Sequence, residues 1–234
     1  ARMVKNVKIE TSPKWLRERL NAVGIRPINN IVDITNYVLY EYGQPMHAFD
    51  YNDIAGKKIV VRTASEGEQF VTLDDKEHKL NDKNLVIADG ERAVAIAGVM
   101  GGQNSEIKND TTTIVFESAN FNGASVRITA KELGIRTESS AKFEKGLDPE
   151  NTLNAVNRAC ELCELLGCGQ VLDGVIDVYP GKKPVTEIYL DVDRINRLLG
   201  ISLSKNEMAE ILTALDFEIK GDTVMVPSYR GDVT

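Results

Sequence analysis

The chain has 234 residues, 42% of them hydrophobic and 27% charged, with a formal net charge of -7 at neutral pH. That is the composition of a globular protein; no apolar run approaches the roughly 18 residues of a membrane span and no signal peptide is legible, so a cytoplasmic protein without a membrane partner is expected. The negative balance argues against holding nucleic acid by bulk electrostatics. Residues 1–27 run the other way, with seven Lys or Arg against Glu10 and Glu18, a local +5 that leaves -12 for the rest.

In chain order, Ser12-Pro13 reads as a helix start, Ser at the N-cap and Pro at the first helical position, with Leu16, Leu20 and Val23 on one face and Gly24 as the stop. A second helix is capped by Asn29 or Asn30; Ile31, Ile34, Val38 and Leu39 form its apolar stripe and Gly43 ends it. A Gly43-Gln-Pro elbow then delivers His47, one of two histidines in the chain.

Between residues 57 and 121 the pattern changes to short β-rich runs at 58–62, 69–73, 84–88, 93–97 and 113–117, separated by turn signals such as Glu66-Gly67, Asp74-Asp75 and Asp89-Gly90. Helical spacing resumes near Asn122-Gly123 and again from Asp148-Pro149, where Leu153, Val156, Cys160, Cys163 and Leu166 share a face up to Gly167. The three cysteines, Cys160, Cys163 and Cys168, are an odd clustered set without a fourth metal ligand nearby, and read as buried thiols. A strand is expected over 171–178, followed by a linker at Tyr179-Pro-Gly-Lys-Lys-Pro184. Beyond it come a strand at 187–190, a helix at 192–199, a helix opened by the capping box Ser204-Lys-Asn-Glu207, and strands at 217–220 and 223–226. The expected fold class is α+β: a mixed or antiparallel sheet packed with helices over 1–180, then a small, incomplete α+β module over 184–234. Neither end carries a closing cap or polar tail, and the chain reads as part of a longer one.

Six ordered motifs give the first part a family. Arg26-Pro-Ile-Asn-Asn-Ile-Val-Asp-Ile-Thr-Asn-Tyr-Val38, Gly43-Gln-Pro-Met-His-Ala-Phe-Asp50, Ala97-Gly-Val-Met-Gly-Gly102, Phe116-Glu-Ser-Ala-Asn-Phe121, Gly134-Ile-Arg-Thr-Glu-Ser-Ser140 and Phe143-Glu-Lys-Gly-Leu-Asp-Pro149 together resemble the B3/B4 region of the bacterial phenylalanine–tRNA ligase β subunit. The tail, with Val226-Pro-Ser-Tyr-Arg-Gly-Asp232, resembles the start of that subunit's B5 module. The resemblance implies an editing site that hydrolyses tyrosine wrongly attached to the phenylalanine-accepting tRNA. It implies as partners the acceptor end of that tRNA and a catalytic α subunit in an α2β2 enzyme. ATP and magnesium are implied for the whole enzyme, with no cofactor for this stretch.

Such a site must accept a tyrosyl ester and refuse a phenylalanyl ester, which differ by one phenolic hydroxyl. A buried group that has to hydrogen-bond that hydroxyl can discriminate by roughly 10⁴ to 10⁵, whereas an apolar pocket cannot. From spacing alone Glu117 is a strand-end glutamate in solvent; the resemblance gives it recognition of the phenol. His47, from spacing a packed histidine, gains by resemblance a place in the pocket, positioning water first and acting as a base second. Asn36 is expected to help hold substrate or water. Gly98, Gly101 and Gly102 fit no phosphate-loop spacing; the resemblance puts backbone near Gly101 in the pocket wall, with Thr137 and Ser139 on a loop after Gly134. Ser139 stands where many members carry alanine, which adds volume and polarity. Asp232 stands where the family's B5 motif supplies a magnesium-linked carboxylate, but no organised metal is expected without its partner acids. The competing reading is a non-catalytic tRNA-docking or subunit-interface module with a vestigial pocket; the basic residues of 1–27 favour docking, and the -12 elsewhere disfavours broad RNA contact.

Overall fold

A computed structural model describes residues 1–182 and 184–234. Lys183, inside the expected linker, lies outside the described residues. The chain divides into two compact units, 1–177 and 178–234.

In the first unit the order is β1 (Arg2–Lys5), α1 (Lys14–Ala22), α2 (Asn30–Tyr42), β2 (Met46–Asp50), β3 (Val60–Thr63), β4 (Gln69–Val71) and β5 (Glu77–Lys79). Next come β6 (Leu85–Ala88), β7 (Ala93–Ile96), β8 (Met100–Gly101), β9 (Thr113–Ser118), α3 (Gly123–Glu132), α4 (Glu138–Phe143), α5 (Asn151–Leu165) and β10 (Gln170–Val171). They form a sheet β10-β1-β9-β2, a second sheet β3-β6-β7-β8 and a hairpin β4-β5. Every pairing is antiparallel.

The first sheet separates two cores. Because side chains alternate across a strand, Ile114 and Phe116 of β9 and Ala48 of β2 face a cluster sealed by Ile31, Ile34 and Val38 of α2 and by Ala155, Val156, Ala159 and Leu162 of α5. On the other face, Phe49 and Val115 join a cluster built on Val86, Ile87, Val94 and Ile96 of the second sheet, with Phe121, Val126 and Phe143 beside them. The expected apolar stripe of α2 is fully used, Ile31, Ile34, Val38 and Leu39 all being buried. Asn29 is its cap, accepting from the Val32 N–H at 3.0 Å, and Gly43 ends it in the left-handed region at φ 70°.

Several local expectations are corrected. Ser12 does not cap α1, which has Pro13 at the N-cap without a side-chain hydrogen bond; the buried Ser12 hydroxyl instead donates to Asp33 at 2.5 Å. Val23 is 46% exposed and off the packed face. α5 starts at Asn151, after a turn in which the Asp148 carboxylate accepts from the Glu150 N–H. The expected strand over 171–178 shrinks to β10, because Gly174 at φ 89° turns the chain off the ladder; the contact continues through Leu172 N–H to Met3 O and a reciprocal pair in which Ile176 N–H donates to Ala1 O at 3.0 Å and the Ala1 ammonium donates to Ile176 O at 2.7 Å. The cysteines are all buried free thiols, and the Cys168 thiol donates to the Cys163 carbonyl at 3.6 Å.

The second unit contains β11 (Glu187–Tyr189), α6 (Val192–Leu199), α7 (Lys205–Thr213), β12 (Glu218–Lys220) and β13 (Thr223–Met225), with sheet order β11-β13-β12. Leu190, Met208, Phe217, Val224 and Val226 are its core. The capping box at Ser204 forms as its spacing requires, Ser204 N–H to Glu207 at 2.7 Å and Glu207 N–H to Ser204 at 3.3 Å. Among the described residues no helix is long and apolar enough to cross a membrane.

Candidate functional site

Strand β2 meets β9 with His47 directly opposite Glu117. Directly opposed residues put both side chains on one face of the sheet with Cβ atoms about 4.5–5.5 Å apart, here the face turned away from α2. A cavity of about 140 Å³ opens on that face. Pro45, Met46, His47 and Glu117 line one side; Ile87, Ala95, Ile96 and the Gly98–Gly101 segment line the opposite side, and Phe121, Ser139 and Phe143 complete it. An apolar cavity of about 150 Å³ is enough to take up a benzene ring, so this one is the size of a single aromatic side chain, with a carboxyl and an imidazole as its titratable groups.

The imidazole is held on several sides. Its ring meets that of Phe49 edge-on, centroids 4.5 Å apart, and the backbone of Gly101 packs against it: a Cβ built on Gly101 would lie 2.6 Å from His47 Cε1. Glycine is required here by close approach and not by backbone conformation. Gly98 is the conformational case, at φ 70°. The elbow before His47 is tied down by Gln44, whose buried amide donates to the Pro45 carbonyl at 3.0 Å and, across the chain, to the Ala119 carbonyl at 2.8 Å.

Burial sets the charge state of both groups. His47 is pushed down to about 4 by loss of solvation, so its ring is neutral at pH 7; its Nε2 is buried and has no hydrogen-bond partner. The same cause pushes the Glu117 carboxyl up to about 7. A carboxyl that titrates near neutrality beside a neutral imidazole, in a ring-sized cavity whose lining side chains are mostly apolar, is a perturbed pair of the kind found at functional sites.

The structure thus gathers His47, Glu117, Gly101 and Ser139 around one cavity. Thr137 ends the expected loop as the N-cap of α4, accepting from the Ser140 N–H at 3.0 Å, while the Ser140 hydroxyl bonds back to the Thr137 backbone; Ser139 is not on the loop but in the first turn of the helix. Sequence reading missed this box because serine stands where glutamate or glutamine is usual. Thr137 supports the wall from behind by donating to the Val99 carbonyl at 2.8 Å; Ser139 donates to the Gly98 carbonyl at 3.1 Å. Asn36 lies on α2, which packs on the opposite face of the sheet, and does not line the cavity. The apolar walls from Ile87, Ala95, Phe121 and Phe143 carried no signal beyond ordinary core periodicity.

In the second unit both oxygens of Asp232 accept from Arg230 at 2.9 Å, and among the described residues no three metal-ligating side chains cluster. The basic residues of 1–27 are partly engaged inside the fold. Arg2 donates to Asn157 and the Leu172 carbonyl, and Arg19 donates to the Tyr37 hydroxyl and lies over Trp15.

A two-sheet body with a ring-sized cavity on strand β9 is, in family terms, a B3/4 domain: residues 1–168 match the model of that name, and the chain belongs to that family. Residues 188–234 match the tRNA synthetase B5 domain. Whole-chain comparison then gives particular relatives. The chain is 50% identical over 237 residues to the phenylalanine–tRNA ligase β subunit of Clostridium acetobutylicum, and 49% and 48% identical over 238 residues to those of Bacillus cereus and Bacillus subtilis. In each case the match covers 100% of this chain and 30% of the relative, so the chain spans under a third of the length of these proteins. A solved N-terminal fragment of the phenylalanyl-tRNA synthetase β subunit from Pyrococcus horikoshii aligns over 100% of this chain and 65% of its own, at 14% identity and a TM-score of 0.46, a likeness too slight to argue from.

Proposed function

We propose that this chain is the editing region of a phenylalanine–tRNA ligase β subunit, hydrolysing the ester of tyrosine misattached to the tRNA for phenylalanine. In this reading residues 1–180 receive the tRNA's acceptor end, residues 184–234 begin a B5 module, and a catalytic α subunit completes an α2β2 enzyme. The reading is carried by one observation, the His47–Glu117 pair lining a ring-sized cavity whose other side chains are mostly apolar.

The chemistry follows from the charge states. The tyrosine ring enters the apolar walls and its hydroxyl donates to the Glu117 carboxylate. Phenylalanine fills the same walls but leaves that carboxylate desolvated and without a donor, at a cost of about 1–3 kcal/mol or more. The neutral His47 ring accepts a hydrogen bond from water at Nε2 and aims the water's lone pair at the ester carbon. A group lowered to about 4 is a weak base, so orientation is its main contribution. The water oxygen bonds to the carbonyl carbon, the ester C–O bond breaks, and the proton lost by water ends on the departing ribose oxygen. Magnesium and ATP belong to the synthetic reaction of the whole ligase and enter no step here.

The test is deacylation of tyrosyl-tRNA by the full-length enzyme and by its Glu117→Ala and His47→Ala variants. Both variants are expected to lose most of the activity; unchanged hydrolysis in both would sink the assignment. Free tyrosine, but not phenylalanine, is expected to raise the melting temperature, whereas a vestigial pocket in a docking module would respond to neither.

A further inference from the structure

Helix α4 has two working faces. Ser139 and Phe143, four residues apart, line the cavity, while Glu138, Ala141 and Lys142 share the neighbouring face of the helix and, with Lys145 and Gly146 just beyond it, line a second, open cleft of about 400 Å³. Gly43 closes that cleft from the far side, and Pro45 and Met46, two and three residues on, line the cavity. One short helix and one elbow are therefore walls common to both spaces.

The charge of the cleft is distinctive in a chain whose net charge is -7. Two ammonium groups, Lys142 and Lys145, line the cleft with a single carboxylate, Glu138. Among the described residues neither lysine is in an ion pair; the Lys142 ammonium is held over the Tyr40 ring, 5.6 Å from its centroid. A side chain placed by an aromatic face gives up part of its freedom before any ligand arrives. The cavity next door has room for about one ring, so whatever carries the ring's ester must continue outside it, and the two cations stand on the other side of the shared helix α4.

We propose that the Lys142–Lys145 cleft is a phosphodiester subsite, which binds the terminal single-stranded nucleotides of the RNA whose esterified amino acid occupies the adjoining cavity. The proposal rests on the editing reading above and adds the residues that grip the nucleic acid. It also accounts for how an acidic chain engages a polyanion, through a local pair of cations and not a broad basic surface.

The experiment uses the full-length protein and two substrates, tyrosyl-tRNA and a tyrosyl ester of unphosphorylated adenosine, with wild type, Lys142→Gln/Lys145→Gln and Lys142→Arg/Lys145→Arg. In the glutamine variant KM for tyrosyl-tRNA is expected to rise about tenfold at unchanged kcat, and the salt dependence of log KM to flatten by roughly 0.7 per lost contact. The minimal ester should be hydrolysed as by wild type, and the arginine variant should behave as wild type on both. An unchanged KM and salt slope on tyrosyl-tRNA would overturn the subsite. Equal loss on both substrates would overturn it too, because the lysines would then be supporting the cavity wall. A wild-type protein that hydrolyses neither substrate would instead bring down the editing reading, and this subsite with it.

Discussion

The two faces of the sheet β10-β1-β9-β2 are built from alternate residues of the same strands, yet they do opposite work. Ile114, Phe116 and Ala48 point into a cluster closed by α2 and α5, where Ile114 and Phe116 have no exposed surface. Val115, Glu117, His47 and Phe49 point the other way, toward a face that closes over Phe49 but leaves a cavity beside His47 and Glu117. A one-residue step along β9 separates a side chain whose loss costs stability from one whose loss costs chemistry. The sealed face fixes the strand register that puts His47 opposite Glu117; the open face spends part of its burial on two groups held in unfavourable charge environments.

Phe116→Ala breaks the sealed side and should give the largest effect, a loss of about 3–5 kcal/mol, measured as a drop in the urea midpoint at unchanged m-value. A loss below about 1 kcal/mol would mean that this face is not the stabilising one. Gly101→Ala attacks the open side. The new methyl falls within 2.6 Å of His47 Cε1, so the imidazole must move, and a displacement on the order of 1 Å costs about 10²-fold in rate. Tyrosyl-tRNA hydrolysis should fall by that factor, with a stability loss from overpacking of about 1–3 kcal/mol, smaller than that of Phe116→Ala; retained activity would show that the position of His47 is immaterial.

The contrast between the faces also explains what could be read from the sequence. The sealed face was legible: the stripe of α2 and the run of β9 repeat at helical and strand periods, and burial follows period. The open face was legible only through resemblance, since a histidine after a proline elbow and a glutamate at a strand end have no periodic signature. β2 itself escaped notice because Met46–Asp50 lacks the β-branched residues that mark strands and owes its conformation to pairing with β9. Likewise the sequence predicts a loop where α4 begins: Thr137 ends that loop as the N-cap, but Ser139 sits in the helix's first turn. Asn36 shows the converse limit: a motif residue in a resembling stretch need not face the cavity.

A milder change keeps the volume of the open face and removes only its charge. Glu117→Gln retains an acceptor for the phenol but gives up a hydrogen bond to an ionised group, so selectivity for the tyrosyl over the phenylalanyl ester should fall about tenfold. The measurement is the ratio of kcat/KM for the two esters. An unchanged ratio would move recognition of the hydroxyl away from Glu117.

The smallest effect concerns stability and follows from the sign of the Glu117 shift. Burial raises its folded-state value from 4.5 to about 7, so the folded protein binds this proton more tightly than the unfolded chain does. The resulting stability is fully present below about pH 4.5 and is lost as pH rises through about 7. Glu117→Gln has no proton to lose. Its stability relative to wild type should therefore grow across that window and level off above it, by on the order of 1 kcal/mol once screening by water at the cavity mouth is allowed for. Urea midpoints of the two proteins at pH 4.5, 6 and 8 measure the difference; a constant gap would mean that the carboxyl is solvated and the two faces are less unlike than their burial suggests. Saturating tyrosine should narrow the gap at pH 8, because a phenol donating to the carboxylate stabilises the ionised form and draws its titration back down.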